Sequence, residues 1–212
     1  MRLSAADRHP SEGSSSLDRG RRCEGGSAAG DRNEELELAR LRPIAAVAFV
    51  ALAAACLATF GVTVEALVDV LACGVLVAVT VTDLERRIVP NRIIVPALAV
   101  ALVVQTARDP SVEWIIASLA AGGFYFIAAL IYPAGLGMGD VKLAAFLGAW
   151  LGTPVIVALF AGSLLAMIPA IVIIVTRGRE GRKVGIPFAP FLAGGAVIAL
   201  FFGDAIMDAW LG

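Results

Sequence analysis

Residues 64–93 read VEALVDVLACGVLVAVTVTDLERRIVPNRI. No charge interrupts the run from Val70 to Thr82, and then Asp83, Glu85, Arg86, Arg87 and Arg92 arrive together around Pro90 and Asn91. A helix crossing a bilayer needs about 20 mostly apolar residues, because each unpaired backbone group in hydrocarbon costs several kcal/mol. With the mostly apolar turn before it, the stretch 64–82 comes close to that length, and the charge cluster marks its exit into water. Working outward, apolar runs of the same kind occupy about 43–62, 91–108, 112–133, 139–153, 154–176 and 187–208, giving seven with 64–82. The fifth is short and is divided from the sixth only by Gly152-Thr153-Pro154, while Asp204 and Asp208 are expected to mark the exit of the last. The expected fold is all-α, a polytopic bundle of about seven transmembrane helices.

Composition supports this and excludes much else. Of 212 residues, 59% are hydrophobic and 17% charged, and the mean hydropathy is +0.86. Soluble domains carry about 25% charged residues. A net charge of −1 does not suit a nucleic-acid binder. Cys23, Cys56 and Cys73 lack CxxC spacing, which argues against a zinc knuckle or a disulfide scaffold. The only histidine, His9, lies in a polar segment, so a Ser-His-Asp triad, an HExxH zinc site and His-ligated haem are all excluded. Any chemistry must rest on carboxylates, lysine or hydroxyls.

Residues 1–42 hold eight acidic and eight basic residues and a Ser/Gly-rich stretch. Such a segment buries too little apolar surface to offset its ordering entropy, so it is expected to be a disordered cytoplasmic tail ahead of a membrane domain at 43–212. Basic residues near the membrane favour the cytoplasmic side. Arg40 and Arg42, then Arg86, Arg87 and Arg92, then Lys142, then Arg177, Arg179, Arg182 and Lys183 all fall on one side if seven helices begin inside. The expectation is therefore a multi-pass protein of the cytoplasmic membrane with its N-terminus inside and its C-terminus outside.

Charged groups within membrane segments are costly and usually functional. Glu65, Asp109, Glu113, Asp204 and Asp208 sit at predicted outer ends, Asp69 reads as a satisfied interfacial residue, and Glu85 as a solvated partner of Arg86 or Arg87. Asp83 and Asp140 differ. One closes an apolar helix and the other opens one, in YPAGLGMGDVKLAAFLGAWLG (residues 132–152), and the topology places both at the same inner depth. Two carboxylates brought together in low dielectric share a proton, which provides a base to activate water and an acid for the leaving group. Facing aspartates also suit an ion or proton pathway. Gly135, Gly137 and Gly139 alternate before Asp140, and glycine lets a backbone approach an extended partner closely. A carboxylate near a helix N-terminus is favoured by the helix dipole. Lys142 either tunes the pair or snorkels to lipid phosphates.

Gly137-Met138-Gly139-Asp140-Val141-Lys142-Leu143 resembles the GxGDxK motif of the type IV prepilin peptidases, membrane-embedded aspartyl proteases. Asp83-Leu84-Glu85-Arg86-Arg87-Ile88-Val89-Pro90-Asn91 looks like the first catalytic segment of that family, and Gly185-Ile186-Pro187-Phe188-Ala189-Pro190-Phe191 like its Pro-Phe segment. The three stand in family order within about residues 65–205. The resemblance implies cleavage of the basic leader from prepilin or pseudopilin precursors at the cytoplasmic face, after a glycine that precedes an apolar stalk helix, in type IV pilus or protein-secretion systems. It implies Asp83 and Asp140 as the catalytic pair, with Gly137, Gly139, Lys142, Pro90 and Asn91 shaping the site, and no metal. Larger members carry a methylating domain with paired CxxC motifs, and the short form here implies peptidase activity alone, without S-adenosylmethionine or zinc.

Two rivals fit less well. The presenilin-like GxGD proteases have Tyr-Asp and a later Pro-Ala-Leu, whereas Asp83 follows Thr82 and Pro96-Ala97-Leu98 lies between the aspartates. A small transporter or channel using Asp83 and Asp140 as cation or proton sites would need broken helices at mid-depth, and Gly162 and Pro169 have no carboxylate near them in sequence. The remaining features read as packing. Gly122, Gly123, Gly148, Gly162, Gly194 and Gly195 suit close helix contacts. Trp114, Trp150 and Trp210 suit boundary belts. Pro96 reads as a neutral kink in the third helix.

Overall fold

The computed structural model describes residues 41–132, 136–177 and 187–211. Seven helices follow one another: α1 (Leu41–Phe60), α2 (Val64–Arg86), α3 (Asn91–Arg108), α4 (Glu113–Ile131), α5 (Met138–Leu151), α6 (Val155–Arg177) and α7 (Ala189–Leu211). No strand occurs among the described residues. Residues 1–40 of the predicted tail, the basic cluster at Arg179, Arg182 and Lys183, and Gly135, Gly185 and Ile186 lie outside the described residues, while Leu41 and Arg42 already belong to α1.

The helix ends have local causes. Gly61, at φ +70°, takes the left-handed conformation that closes α1 at little steric cost. Thr63 Oγ1 then accepts the Ala66 N–H at 3.2 Å, satisfying a free donor at the start of α2. That helix runs one turn beyond the expected end at residue 82, because the backbone ladder continues through the charged residues. It stops where Arg87, at φ +52°, turns left-handed and its N–H reaches the Asp83 carbonyl at 2.8 Å. Pro90 is the N-cap residue of α3, where a backbone N–H would have no intrahelical partner, so its missing donor is harmless. At the other terminus, α7 passes through Asp204 and Asp208 to Leu211. Carboxylates that face water do not break a helix, so the exit expected at these residues is not a helix end.

Six helices have the length and hydropathy of membrane spans, which makes this a multi-pass membrane protein. Large side chains such as Val103, Leu119, Leu130 and Val175 point outward, each at least 65% exposed, an outer surface suited to lipid and not to water. The exception is α5. Its 14 residues rise about 21 Å, short of the ~30 Å hydrocarbon core. It is the central helix, burying Leu143, Ala144, Phe146, Leu147, Ala149 and Trp150 against α3, α4 and α7. Because it is enclosed by longer helices, it has no need to span the bilayer.

Small residues allow this enclosure. A Cβ on Gly148 would collide with the Ala117 carbonyl, and one on Gly122 would come within 2.9 Å of Ala145 Cβ, so α4 and α5 touch backbone to backbone. Gly195 and Gly162 bring α6 and α7 together in the same way. Gly123 faces open space and has no such packing role. On the other flank, Phe49 of α1 packs over Gly74 of α2.

Alternating helices sort the polar groups to two ends. The starts of α5 and α7 lie with the end of α2, as Asp83 bonds Ala189. At the opposite end, Trp150 Nε1 donates to Asp69 Oδ1 at 2.9 Å, and the buried Gln105 donates to the Trp150 carbonyl at 2.7 Å. Arg108 bonds Gln105 Oε1 at 3.0 Å and pairs with Glu65 at 2.6 Å. Asp69 is thus satisfied, as expected. Trp150 is not a boundary residue, however. It is 2% exposed, because α5 is internal and its indole N–H has a carboxylate to reach. Trp210, 79% exposed, keeps the outward position expected of a boundary residue.

Candidate active site

Three chain segments converge at the aspartate end. The last full turn of α2 supplies Asp83, the first turn of α5 supplies Asp140, and both are buried, at 6% and 9% exposure. Burial of an unsatisfied carboxylate would be prohibitive, and each is held by a main-chain donor. Ala189 N–H, at the start of α7, donates to Asp83 Oδ2 at 3.1 Å. Gly137 N–H donates to Asp140 Oδ2 at 3.2 Å, while the Gly137 carbonyl accepts the Asp140 N–H at 3.1 Å. This is half of a capping box, in which the carboxylate reaches back to the cap N–H while glycine offers only its carbonyl. It fixes the carboxylate against the N-terminus of α5, whose dipole favours negative charge.

The two aspartates lie at the same end of the bundle although 57 residues separate them in sequence, and the link between α2 and α3 packs on the start of α5 between these segments. Val89 is buried and lies against Gly139, where an added Cβ would stand 2.7 Å from Val89 Cβ. Gly137 itself is extended, at φ −83° and ψ 152°. Its backbone shape is therefore open to any residue, and the requirement for glycine is at 139, where space is lacking.

Asn91 and Lys142 also meet. Lys142 Nζ donates to Asn91 Oδ1 at 2.7 Å, tying the start of α3 to the first turn of α5 at the exposed rim. Pro90 positions this strap by starting α3. All seven residues singled out in the sequence, Asp83, Asp140, Gly137, Gly139, Lys142, Pro90 and Asn91, thus lie at this end.

Glu85 departs from expectation. Its Oε1 is shielded and has no hydrogen-bond partner among the described residues. The left-handed turn at Arg87 redirects the chain just beyond it. Two contacts had no distinct sequence signal. Ala189 acts through its backbone, which no side-chain pattern reveals. Tyr125, 3% exposed, lies 3.3 Å through its hydroxyl from Ser163 Oγ and packs at a tilt on Phe188, with ring centroids 6.0 Å apart. Among the described residues no group of three or more metal-ligating side chains is assembled.

Residues 70–175, half of the chain, match the model of the Type IV leader peptidase family. The chain belongs to the type IV leader peptidase family. Its similarity to curated members extends further. The prepilin leader peptidase/N-methyltransferase of Bacillus subtilis (strain 168) is 35% identical over 158 residues, covering 72% of this chain and 62% of that protein. The protein of the same name from Burkholderia pseudomallei (strain K96243) is 33% identical over 173 residues, 76% of this chain and 54% of the relative. That from Legionella pneumophila is 30% identical over 164 residues, 72% and 56%. The chain therefore spans between about half and three-fifths of the length of these relatives. No solved structure matches it significantly. The family match includes both aspartates, Val89, Asn91 and the glycines that precede Asp140, but stops before Ala189.

Proposed function

We propose that this protein is an aspartic endopeptidase of the cytoplasmic membrane that removes the leader from type IV prepilin or pseudopilin precursors at the cytoplasmic face. The observation that carries the reading is a pair of buried aspartates from separate helices at one end of the bundle, each anchored through Oδ2 by a backbone N–H. Family membership and the names of the relatives support the substrate class.

The chemistry follows from the pair. With one proton shared, the ionised carboxylate takes a proton from water as the water oxygen attacks the scissile carbonyl. The protonated partner hydrogen-bonds the carbonyl oxygen and stabilises its developing charge. Collapse of the tetrahedral intermediate breaks the C–N bond, and a proton passes from the pair to the leaving amine. Main-chain anchors suit this task, since they cannot rotate away between steps. The substrate strand lies beside Gly137, where an extended backbone without a side chain leaves room for a second backbone. The orientation, with the tail and the aspartate end inside, rests on the arginine distribution.

A transporter or channel is the other reading. It is disfavoured because Leu143, Phe146 and Leu147 of α5, all 2% exposed or less, lie between Asp140 and the polar groups of the opposite end. Coexpression with a tagged prepilin from the same genome tests the proposal. Appearance of the shortened pilin only when this protein is present is the expected result. A precursor left at full length would overturn it and favour transport.

A further inference from the structure

The membrane-facing sides of α4 and α6 do not close on each other. Each is packed on a different neighbour, α4 on α5 and α6 on α7, and a cleft of about 500 Å³ separates them. Ala120, Ala121 and Phe124 form one wall, and Ile156, Leu159 and Phe160 lie on the other. The α6 residues recur at helical spacing and make a continuous apolar stripe. The volume lies within the 300–1,000 Å³ typical of ligand sites. At its inner end stands Ser163, beside the hydroxyl of Tyr125.

The cleft ends beside the aspartate site. Ser163, at its inner end, lies 3.3 Å from the Tyr125 hydroxyl, Tyr125 packs on Phe188, and Phe188 precedes Ala189, the donor to Asp83. The depth also agrees. Antiparallel α4 and α5 place Ala145 opposite Gly122, and Gly148 opposite Ala117 and Ser118. Asp140 is then level with about residue 127 of α4, roughly 6 Å inside the helix end at 1.5 Å per residue. Phe124, on the cleft rim, is about 4.5 Å deeper still. A peptide bond held at the aspartates therefore has the mouth of an apolar channel one turn further into the membrane.

We propose that the α4–α6 cleft seats the apolar helix of the precursor immediately beyond the bond being cut. This rests on the proposed peptidase function. An apolar helix that follows the scissile bond must leave the aspartates into the bilayer, and this cleft gives it a surface of matching chemistry. The small side chains of Ala120 and Ala121 let a helix backbone approach, the mode by which helices associate in lipid. In this arrangement the cleft sets how far the precursor slides before its peptide bond meets the carboxylates.

Site-directed photocrosslinking in the full-length protein tests it. A benzophenone amino acid replaces Phe160, or Val103 on the outer face of α3 as control, in an Asp140→Asn background that holds the precursor uncut. The proteins are reconstituted with full-length prepilin in phosphatidylethanolamine/phosphatidylglycerol vesicles. The expected result is an adduct from position 160 to the first turns of the precursor's apolar helix, and none from 103. In the otherwise unaltered enzyme, Ala120→Trp fills the cleft from an exposed position and should raise KM at least tenfold with the melting temperature and kcat little changed. Adducts only to lipid or to a second copy of this chain, while the wild type still processes prepilin, would overturn the cleft assignment and leave the peptidase reading standing. Wild type that processes no prepilin would overturn the peptidase reading, and this inference with it.

Discussion

Ala189 N–H donates to Asp83 Oδ2 at 3.1 Å and joins residues 106 apart in the chain. The contact gives the Pro-Phe segment before α7 a physical task, which is to present a main-chain donor to a buried carboxylate. Side-chain truncation there leaves the donor in place, and proline removes it. As Ala189 is the first residue of α7, proline there is compatible with the helix. Ala189→Pro should therefore keep the protein folded and lower prepilin processing by about 10–100-fold, the equivalent of about 1.5–3 kcal/mol for a hydrogen bond to a charged group. Ala189→Ser should stay within a few-fold. Initial-rate assays paired with thermal unfolding in detergent check both.

Val89 and Gly139 should be coupled. A Cβ at 139 would stand 2.7 Å from Val89 Cβ, and overpacking of this kind typically costs about 1–3 kcal/mol. Gly139→Ala should reduce processing by about tenfold or more. Adding Val89→Gly removes the Cβ that the new methyl would meet, so the double variant should recover much of the loss, a non-additivity readable in a double-mutant cycle.

Backbone contact between helices predicts a contrast among glycines. Gly148→Ala would place a methyl against the Ala117 carbonyl, whereas Gly123→Ala meets nothing within 4 Å. The first should lower stability by about 1–3 kcal/mol or more, since backbone cannot step aside as a flexible side chain does. The second should be close to neutral or slightly stabilising. Unfolding in sodium dodecyl sulfate mixed micelles measures the difference.

Trp150 and Asp69 offer a test of separation between the two ends. Trp150→Phe removes the indole donor from a partly buried carboxylate, at a cost of about 1–3 kcal/mol. Stability should fall, while kcat at permissive temperature stays within about twofold of wild type. An equal loss of activity in fully folded protein would show that the far end contributes to the chemistry.

Much of this was legible in residues alone. All seven helices coincide with the apolar runs, because in lipid a long uncharged stretch has hardly any alternative to a helix. Asp83 and Asp140 stood out for the same reason, as carboxylates whose burial needs a purpose. The limits have equally physical causes. Hydropathy measures composition and not surroundings, so it did not separate α5, enclosed by protein, from spans that face lipid. That is also why Trp150 was read as a boundary residue. Periodicity does not register left-handed turns, so the extra turn of α2 and the redirected Glu85 were not foreseen. The donor at Ala189 belongs to the backbone, which every residue except proline offers.

The central claim is that Asp83 and Asp140 act together on one peptide bond. Its most direct test is prepilin processing by purified, reconstituted Asp83→Asn and Asp140→Asn proteins. Asparagine keeps the shape of each side chain and the acceptor oxygen for Ala189 or Gly137, but it can neither take up nor release the proton. The account predicts that both variants fold with near-native melting temperatures and that each loses at least about 10²–10⁴-fold in rate. Processing within a few-fold of wild type in either folded variant would contradict it.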